Sequence, residues 1–174
     1  MNWQEGLIYA EDVAKGNINV CRDVRLACQR FINQYENKEW EWVFDERVPQ
    51  HFLNFAATLR HTKGPDAGKP VELQPFQILF ICAIYGFRSK KDREIRMVTD
   101  VILFIPRKAG KSTLTAAIAL YELLCGEAGA EVFTLATNRE QATIVFDAAK
   151  GFVENMPQTI AALYNMNKIG RAHV

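Results

Sequence analysis

Apolar residues recur every three or four positions through the first third of the chain, which is the period of an amphipathic helix. The pattern predicts one helix over residues 21–34, with its arginines on a solvated face. It predicts a second helix from Asp45, which can cap it, to about His61. Residues 63–70 are rich in glycine and proline and are predicted to form a loop. We therefore predict a helical N-terminal segment over residues 1–62.

The period changes after this loop. Residues 75–86 have helical spacing, with Pro75 in the first turn and Gly86 as the predicted stop. The charged stretch 88–93 predicts a hairpin-like turn. Residues 101–105 are continuously apolar, which is typical of a central strand buried on both faces. Such strands belong to α/β sheets.

A second helix and strand pair follows. Helix signals begin at Lys111 and end at Gly126, residues 131–136 predict another strand, and Asn138 can cap the helix after it. Strands that alternate with helices pair in parallel through right-handed crossovers. The predicted fold class is therefore α/β, with a three-layer core behind the helical segment.

Composition adds little to this prediction. The chain has 174 residues, of which 49% are hydrophobic and 24% charged, so it can bury a core of about one domain. A formal net charge of +1 argues neither for nor against nucleic acid. The four cysteines are scattered without a C-x-x-C pair, which favours buried thiols over a zinc site or a disulfide framework.

Targeting signals are not recognisable in the sequence. The apolar run at residues 101–106 is too short to cross a bilayer, and the N-terminus lacks the basic and apolar regions of a signal peptide. We expect no membrane partner and a cytoplasmic protein.

The chemistry is concentrated where the predicted strand ends and the helix begins, at Gly110-Lys111-Ser112. Such a junction offers unpaired backbone N–H groups and the positive end of a helix dipole, so it favours phosphate. Glycine allows close approach, Lys111 reaches the β and γ oxygens of ATP, and Ser112 offers a hydroxyl to Mg²⁺. The strict phosphate-loop pattern requires glycine where this chain has Ile105, so an ordinary turn with a surface lysine remains an alternative.

The segment from Ile105 to Thr113 resembles the deviant Walker A loop of phage terminase large subunits. Upstream, Leu73-Gln74-Pro75-Phe76-Gln77 resembles the adenine-recognition segment of the same family. Residues 25–28, 42–45, 59–64 and 136–142 are also similar to terminases that package DNA into HK97-like capsids. The resemblance covers nearly all of residues 8–157.

This resemblance implies an incomplete P-loop NTPase core of the RecA/ASCE type over residues 63–168, with ATP and Mg²⁺ as cofactors. Gln77 would read the adenine and Phe76 would pack beside it, whereas on spacing alone Gln77 would be an exposed helix residue and Phe76 a core contact. Arg107 would act as an arginine finger and Lys111 as the phosphate-binding lysine, while a merely solvated Arg107 remains the alternative. The implied nucleotide-binding residues are Phe76, Gln77, Arg107, Lys108, Ala109, Gly110, Lys111, Ser112 and Thr113.

The same resemblance implies a motor that packages double-stranded viral DNA into procapsids. Its implied partners are the portal protein, the small terminase subunit and further copies of itself in a ring, at the procapsid portal in the host cytoplasm. The full-length protein would also carry a C-terminal endonuclease domain.

Hydrolysis in this family also needs a Walker B strand, which is apolar and ends in paired acids. Asp100 and Asp147 are the candidates here, and neither follows an apolar strand directly. We therefore expect the 174-residue chain to bind ATP weakly without appreciable hydrolysis. The last residues, 169–174, resemble a translated sequencing adapter, so we expect a non-native tail there.

Two other interpretations stay open at this point. Another P-loop enzyme, such as a helicase-like motor or a kinase, would share the loop and the α/β core. A non-catalytic assembly fragment would instead use residues 1–62 to contact a partner subunit or the portal.

Overall fold

A computed structural model describes residues 1–127 and 129–157. These residues form six helices and two short strands. In chain order they are α1 (Gln4–Lys15), α2 (Arg22–Glu36), β1 (Trp42–Phe44), α3 (Arg47–Thr58), α4 (Pro75–Tyr85), β2 (Phe87–Ser89), α5 (Lys111–Cys125) and α6 (Arg139–Glu154).

The chain forms two compact units. The first combines residues 1–54 with residues 73–103, and the second combines residues 55–72 with the described residues from Phe104 onward. Each unit takes two separate segments, so the units cut across the predicted segments 1–62 and 63–168. The tail predicted at residues 169–174 lies outside the described residues.

The first unit is built on α1, which packs against both α2 and α4. Gly6 allows the close approach to α4, because a Cβ atom at this position would lie 2.7 Å from the backbone nitrogen of Leu79. A cluster of aromatic rings fills the space beside α1, with centroid separations of 5.2 to 6.5 Å. Its members are Trp3, Phe31, Tyr35, Phe44 and Phe87.

The strands β1 and β2 belong to this unit and pair in antiparallel register, with Phe44 opposite Phe87. The chain then turns back on itself, since the Ser89 N–H donates to Ile95 O at 3.0 Å and the Met97 N–H donates to Phe87 O at 3.0 Å. This confirms the predicted hairpin-like turn at 88–93. The strand at 42–44 was not predicted, because three residues are too few to show a period.

The second unit is built on α5 and α6, which pack against each other. The apolar face of α5 is buried, including Leu114, Ala117 and Leu120. The loop predicted at residues 63–70 is present and closed at its base, where the Val71 N–H donates to Leu59 O at 2.9 Å and the His61 N–H donates to Lys69 O at 3.0 Å.

The helices predicted from local signals are confirmed as α2 to α6, with ends shifted by a few residues, whereas α1 was not predicted. Asn138 caps α6 as predicted, since its side chain accepts from the Gln141 N–H at 2.9 Å. Asp45 accepts from the Arg47 N–H at 3.2 Å at the start of α3. Gly86 follows α4 as predicted, and a methyl group there would overlap the ring of Phe44.

The predicted strands at 101–105 and 131–136 are wrong for the described residues, where both segments lack strand pairing. Their apolar side chains are exposed rather than buried on two faces: Ile102 is 95% exposed, Phe104 99% and Leu135 93%. An extended segment becomes a strand only when a neighbour supplies the ladder of hydrogen bonds. In the part of the chain that the structure describes, the sheet is limited to β1 and β2, so the predicted three-layer core is not formed there.

The cysteine thiols divide by burial. Cys28 and Cys82 are buried, as expected from the sequence, whereas Cys21 is exposed. Burial raises the pKa of the Cys82 thiol to about 12. Within the described residues, no helix combines the length and the apolar character that a bilayer crossing requires.

The contact at Gly6 predicts a large effect of a small substitution. In Gly6→Ala, the added methyl group meets the backbone of α4, which cannot rotate away as a side chain would. We expect this overlap to lower the free energy of unfolding by about 1–3 kcal/mol. The higher helix propensity of alanine offsets up to about 1 kcal/mol of that loss. Urea unfolding measures this, with Ile8→Ala, at a 57% exposed position of α1, as the control. Equal midpoints for Gly6→Ala and the wild type would contradict the close approach.

Asp45 predicts an acid-dependent loss of stability. The guanidinium of Arg47 donates to its carboxylate at 2.9 and 2.6 Å and lowers the pKa of Asp45. A lowered folded-state pKa means that the stabilisation is complete at neutral pH and is lost as the pH falls below about 5. Asp45→Asn should therefore be less stable than the wild type at pH 7, and the two unfolding free energies should converge in acid. Glu46→Gln is the matched control and should keep the wild-type acid dependence, since the contact between Asp45 and Arg47 remains.

Candidate functional site

The chain enters α5 through a sharp turn at residues 107–110. Lys108 has φ of +67° and Gly110 has φ of +75°, so two residues of this turn are left-handed. Glycine adopts this region without a steric penalty, whereas a lysine there is strained. Among the described residues, Lys108 is the one non-glycine with positive φ. Strain of this kind is often found where a backbone binds a ligand.

The N-terminus of α5 is open to a ligand. No side chain caps it, in contrast to α6, where Asn138 accepts from the Gln141 N–H. The hydrogen-bond ladder of α5 begins with the Leu114 N–H, which donates to Gly110 O at 2.9 Å. The N–H groups of the first turn of a helix have no partner inside the helix and carry the positive end of its dipole. The arrangement favours an anion at this end of α5.

Cationic side chains surround the same helix start. Arg107, Lys108 and Lys111 are exposed, while Ser112 and Thr113 are half-buried. A lysine and an arginine that flank free backbone N–H groups can bind phosphate through charge-assisted hydrogen bonds. The sequence-predicted residues 107–113 therefore lie together on one turn and the first turn of one helix.

A cavity of about 300 Å³ lies beside this helix start and within the second unit. Three segments line it: the loop at His61, Thr62 and Lys63, the start of α5, and one side of α6. The residues from the two helices are Ser112, Thr113, Ile144, Asp147, Ala148 and Phe152. The cavity thus combines the predicted Ser112 and Thr113 with a loop that is distant in sequence.

Sequence reasoning did not assign the loop residues or Asp147 to the site. Asp147 does not directly follow an apolar strand, as a Walker B carboxylate would. The structure places it on α6, on the side that lines the cavity with Ser112. The spacing 144, 147, 148 and 152 on one helical face was the signal that could have identified it. Asp100, the other candidate, is exposed and accepts from the Thr99 hydroxyl at 2.9 Å.

The donor set at Ser112 fits magnesium held together with a nucleotide. Mg²⁺ prefers oxygen ligands and usually keeps several waters, with a few protein oxygens and substrate phosphates. Ser112 supplies a hydroxyl next to the turn at 107–110. The described residues contain no group of three or more histidine, cysteine or acidic side chains that could hold a metal by themselves. Ser112 would therefore hold Mg²⁺ together with phosphate oxygens.

The residues predicted to recognise adenine are on α4, in the first unit. Gln77 is 5% exposed, so the alternative of an exposed helix residue is wrong. Its side-chain oxygen accepts from the Gln74 N–H at 2.9 Å, in a capping box at the start of α4. Phe76 is half-buried. Adenine recognition by either residue stays a prediction.

The sequence around this turn matches a known protein family. Residues 75–171, more than half of the chain, match the family model described as "Terminase large subunit, ATPase domain". The matched range includes the turn at 107–110, α5 and α6. No solved structure matches the chain.

A curated relative gives the same indication. The protein named "Terminase, large subunit" from Enterobacteria phage HK97 is 38% identical to this chain over 98 residues. The aligned region covers 55% of this chain and 18% of that relative, so the chain spans a minor part of its length. The family implies a P-loop fold, of which the described residues contain the turn at 107–110 and the helices α5 and α6. The chain belongs to the terminase large subunits and carries part of their ATPase domain.

Proposed function

We propose that this chain binds ATP with Mg²⁺ at the start of α5, as the nucleotide-binding part of a motor that packages viral DNA. One observation supports this most directly: an uncapped helix N-terminus that follows a left-handed Gly110, in a region that matches an ATPase family. Backbone N–H groups and a helix dipole bind phosphate without help from side chains. The flanking cations then add affinity and position the terminal phosphate.

Each side chain of the turn has a role in this proposal. Lys111, the first residue of α5, contacts the β and γ phosphate oxygens, and Ser112 holds Mg²⁺ through its hydroxyl. Gly110 brings the backbone close to the phosphates. Arg107 stabilises negative charge on the transferred phosphoryl group, and Lys108 contributes beside it. Ala109 and Thr113 complete the nucleotide-binding turn.

In the whole protein, the proposed activity is ATP-driven movement of double-stranded viral DNA into a procapsid. The proposed partners are the portal protein, the small terminase subunit and other copies of the subunit in a ring, at the portal in the host cytoplasm. We also propose that the full-length protein contains a C-terminal endonuclease domain. The family match supports these proposals over a helicase-like motor or a kinase.

Nucleotide binding separates this proposal from a non-catalytic assembly role. In Lys111→Ala, the ammonium at the first position of α5 is lost, and we expect the Kd for MgATP to rise at least about tenfold, since a hydrogen bond to a charged group contributes about 1.5–3 kcal/mol. Isothermal titration calorimetry on the 174-residue chain measures this. The control is Lys150→Ala, because Lys150 is on α6, where it pairs with Glu154 at 3.6 Å.

Two outcomes would count against nucleotide binding at this site. One is a wild-type chain that binds no ATP and shows no rise in melting temperature with MgATP, which a ligand of the folded state must cause. The other is equal affinity in the wild type and Lys111→Ala. Either result would favour an assembly fragment with an inactive loop.

The backbone of the turn generates a further prediction. Alanine at position 110 must adopt φ of +75°, which costs roughly 1–2 kcal/mol, so Gly110→Ala should lower both the free energy of unfolding and the affinity for MgATP. Lys108→Gly is the opposite change, because it removes a side chain from φ of +67°. Its stability should stay within about 1 kcal/mol of the wild type. Denaturant unfolding of the two variants compares them, and a Gly110→Ala variant as stable as the wild type would disprove the left-handed turn.

A further inference from the structure

A positively charged side chain from outside the proposed phosphate-binding turn lines the cavity beside the start of α5. Lys63 lines this cavity of about 300 Å³ together with Ser112 and Thr113, although it precedes them by some fifty positions in sequence. All the lining residues belong to the second unit, so the juxtaposition arises inside one compact body. Because Ser112 is the predicted hydroxyl ligand of Mg²⁺, a side chain that shares its cavity is close to the proposed nucleotide.

The loop that carries Lys63 is held in place at both ends. Its base is closed by the His61 N–H, which donates to Lys69 O at 3.0 Å, and by the Gly68 N–H, which donates to His61 O at 2.8 Å. Thr62 packs on α6, where a Cβ atom at Gly151 would lie 2.9 Å from the Thr62 methyl group. The absence of a side chain at Gly151 therefore lets this loop lie directly on the helix. A loop held in this way loses little backbone entropy when a side chain on it binds a ligand.

The charges of the cavity match a nucleotide bound with a divalent cation. Lys63 and the start of α5 are positive, the hydroxyls of Ser112 and Thr113 can donate or accept, and Asp147 supplies one carboxylate. A bare anion would be repelled by Asp147, whereas a phosphate chain with its cation has complementary groups for both signs. The second lysine of the loop, Lys69, does not line the cavity and instead pairs with Asp66 at 2.8 Å.

We propose that Lys63 is a further nucleotide-binding residue, whose ammonium contacts phosphate oxygens of the nucleotide held at the start of α5. This inference rests on the proposed function, because it assigns a second phosphate contact to the same site. It makes the site a two-sided one, with the turn 107–113 on one side and the loop 61–63 on the other. Thr62 and Gly151 are then positioning residues, since they fix the loop without contacting the nucleotide.

The test compares two lysines of one loop by calorimetric titration of the 174-residue chain with MgATP. We expect the Kd to rise about tenfold in Lys63→Ala and to stay within about twofold in Lys69→Ala, because an exposed ion pair contributes little. Lys63→Arg keeps the charge and should recover most of the affinity. The ratio of the Kd for MgATP in Lys63→Ala to that in the wild type should shrink in high salt. Salt screens a charge contact, whereas it would not change a purely structural effect.

The outcomes separate this inference from the function on which it rests. If the wild type binds MgATP, Lys111→Ala binds weakly and Lys63→Ala binds as tightly as the wild type, the role of Lys63 is overturned and nucleotide binding stands. The role of Lys63 is also overturned if Lys63→Ala and Lys69→Ala lose affinity equally, or if Lys63→Arg binds MgATP no better than Lys63→Ala. It is overturned as well if the ratio of the Kd values of Lys63→Ala and the wild type is independent of salt. A wild type that binds no nucleotide overturns both proposals together.

Discussion

The constraint on which the site depends is the left-handed backbone at Lys108 and at Gly110. The helices α4 and α6 begin after an extended residue with negative φ, whereas the chain enters α5 through positive φ at both Lys108 and Gly110. This turn leaves the first N–H groups of α5 without a covering side chain, and it brings Arg107, Lys108 and Lys111 to one end of the helix. The chemistry of the site is thus fixed by backbone geometry first and by charge second. Glycine is required at 110 for conformation, which differs from Gly86 and Gly6, where the requirement is space.

Local signals predicted the helices α2 to α6 because the interactions that form them are local. The side chain of Asn138 meets the Gln141 N–H within one turn, and the apolar stripe of α5 is readable from its own sequence. Strands depend on partners that are distant in sequence, and this is where prediction was wrong. Ile102, Phe104 and Leu135 have the pattern of a buried strand, yet each is more than nine-tenths exposed. Their apolar side chains favour burial, but the described residues do not supply the surface that would bury them.

The part of the candidate site that is contiguous in sequence could be predicted, whereas the part brought together by tertiary packing could not. The turn from Arg107 to Thr113 is contiguous, so its residues could be assigned from spacing and from resemblance to terminases. Lys63 and Asp147 could not, because they share a cavity with Ser112 only through tertiary packing. Lys63 depends on the closed 59–71 loop and the packing of Thr62 on Gly151, and Asp147 depends on the packing of α6 on α5. In the sequence, the sign of that packing is a glycine within α6, at position 151. Helix propensity disfavours glycine there, so its presence in α6 indicates a close neighbour.

Two roles compete for the side chain of Gln77, namely adenine recognition and capping of α4. The resemblance to terminases implies that it reads adenine, for which a carboxamide offers one donor and one acceptor group. The structure already uses its oxygen to accept from the Gln74 N–H, and its burial at 5% exposure is what a capping residue at a packed helix start requires. A carbonyl oxygen has two lone pairs, so capping alone does not prevent a second hydrogen bond. Burial is the stronger obstacle, since a base must reach the carboxamide before it can bond to it. Recognition of adenine by Gln77 therefore requires the base to reach a carboxamide that is nearly covered, and any binding energy from the base is reduced by the cost of uncovering it.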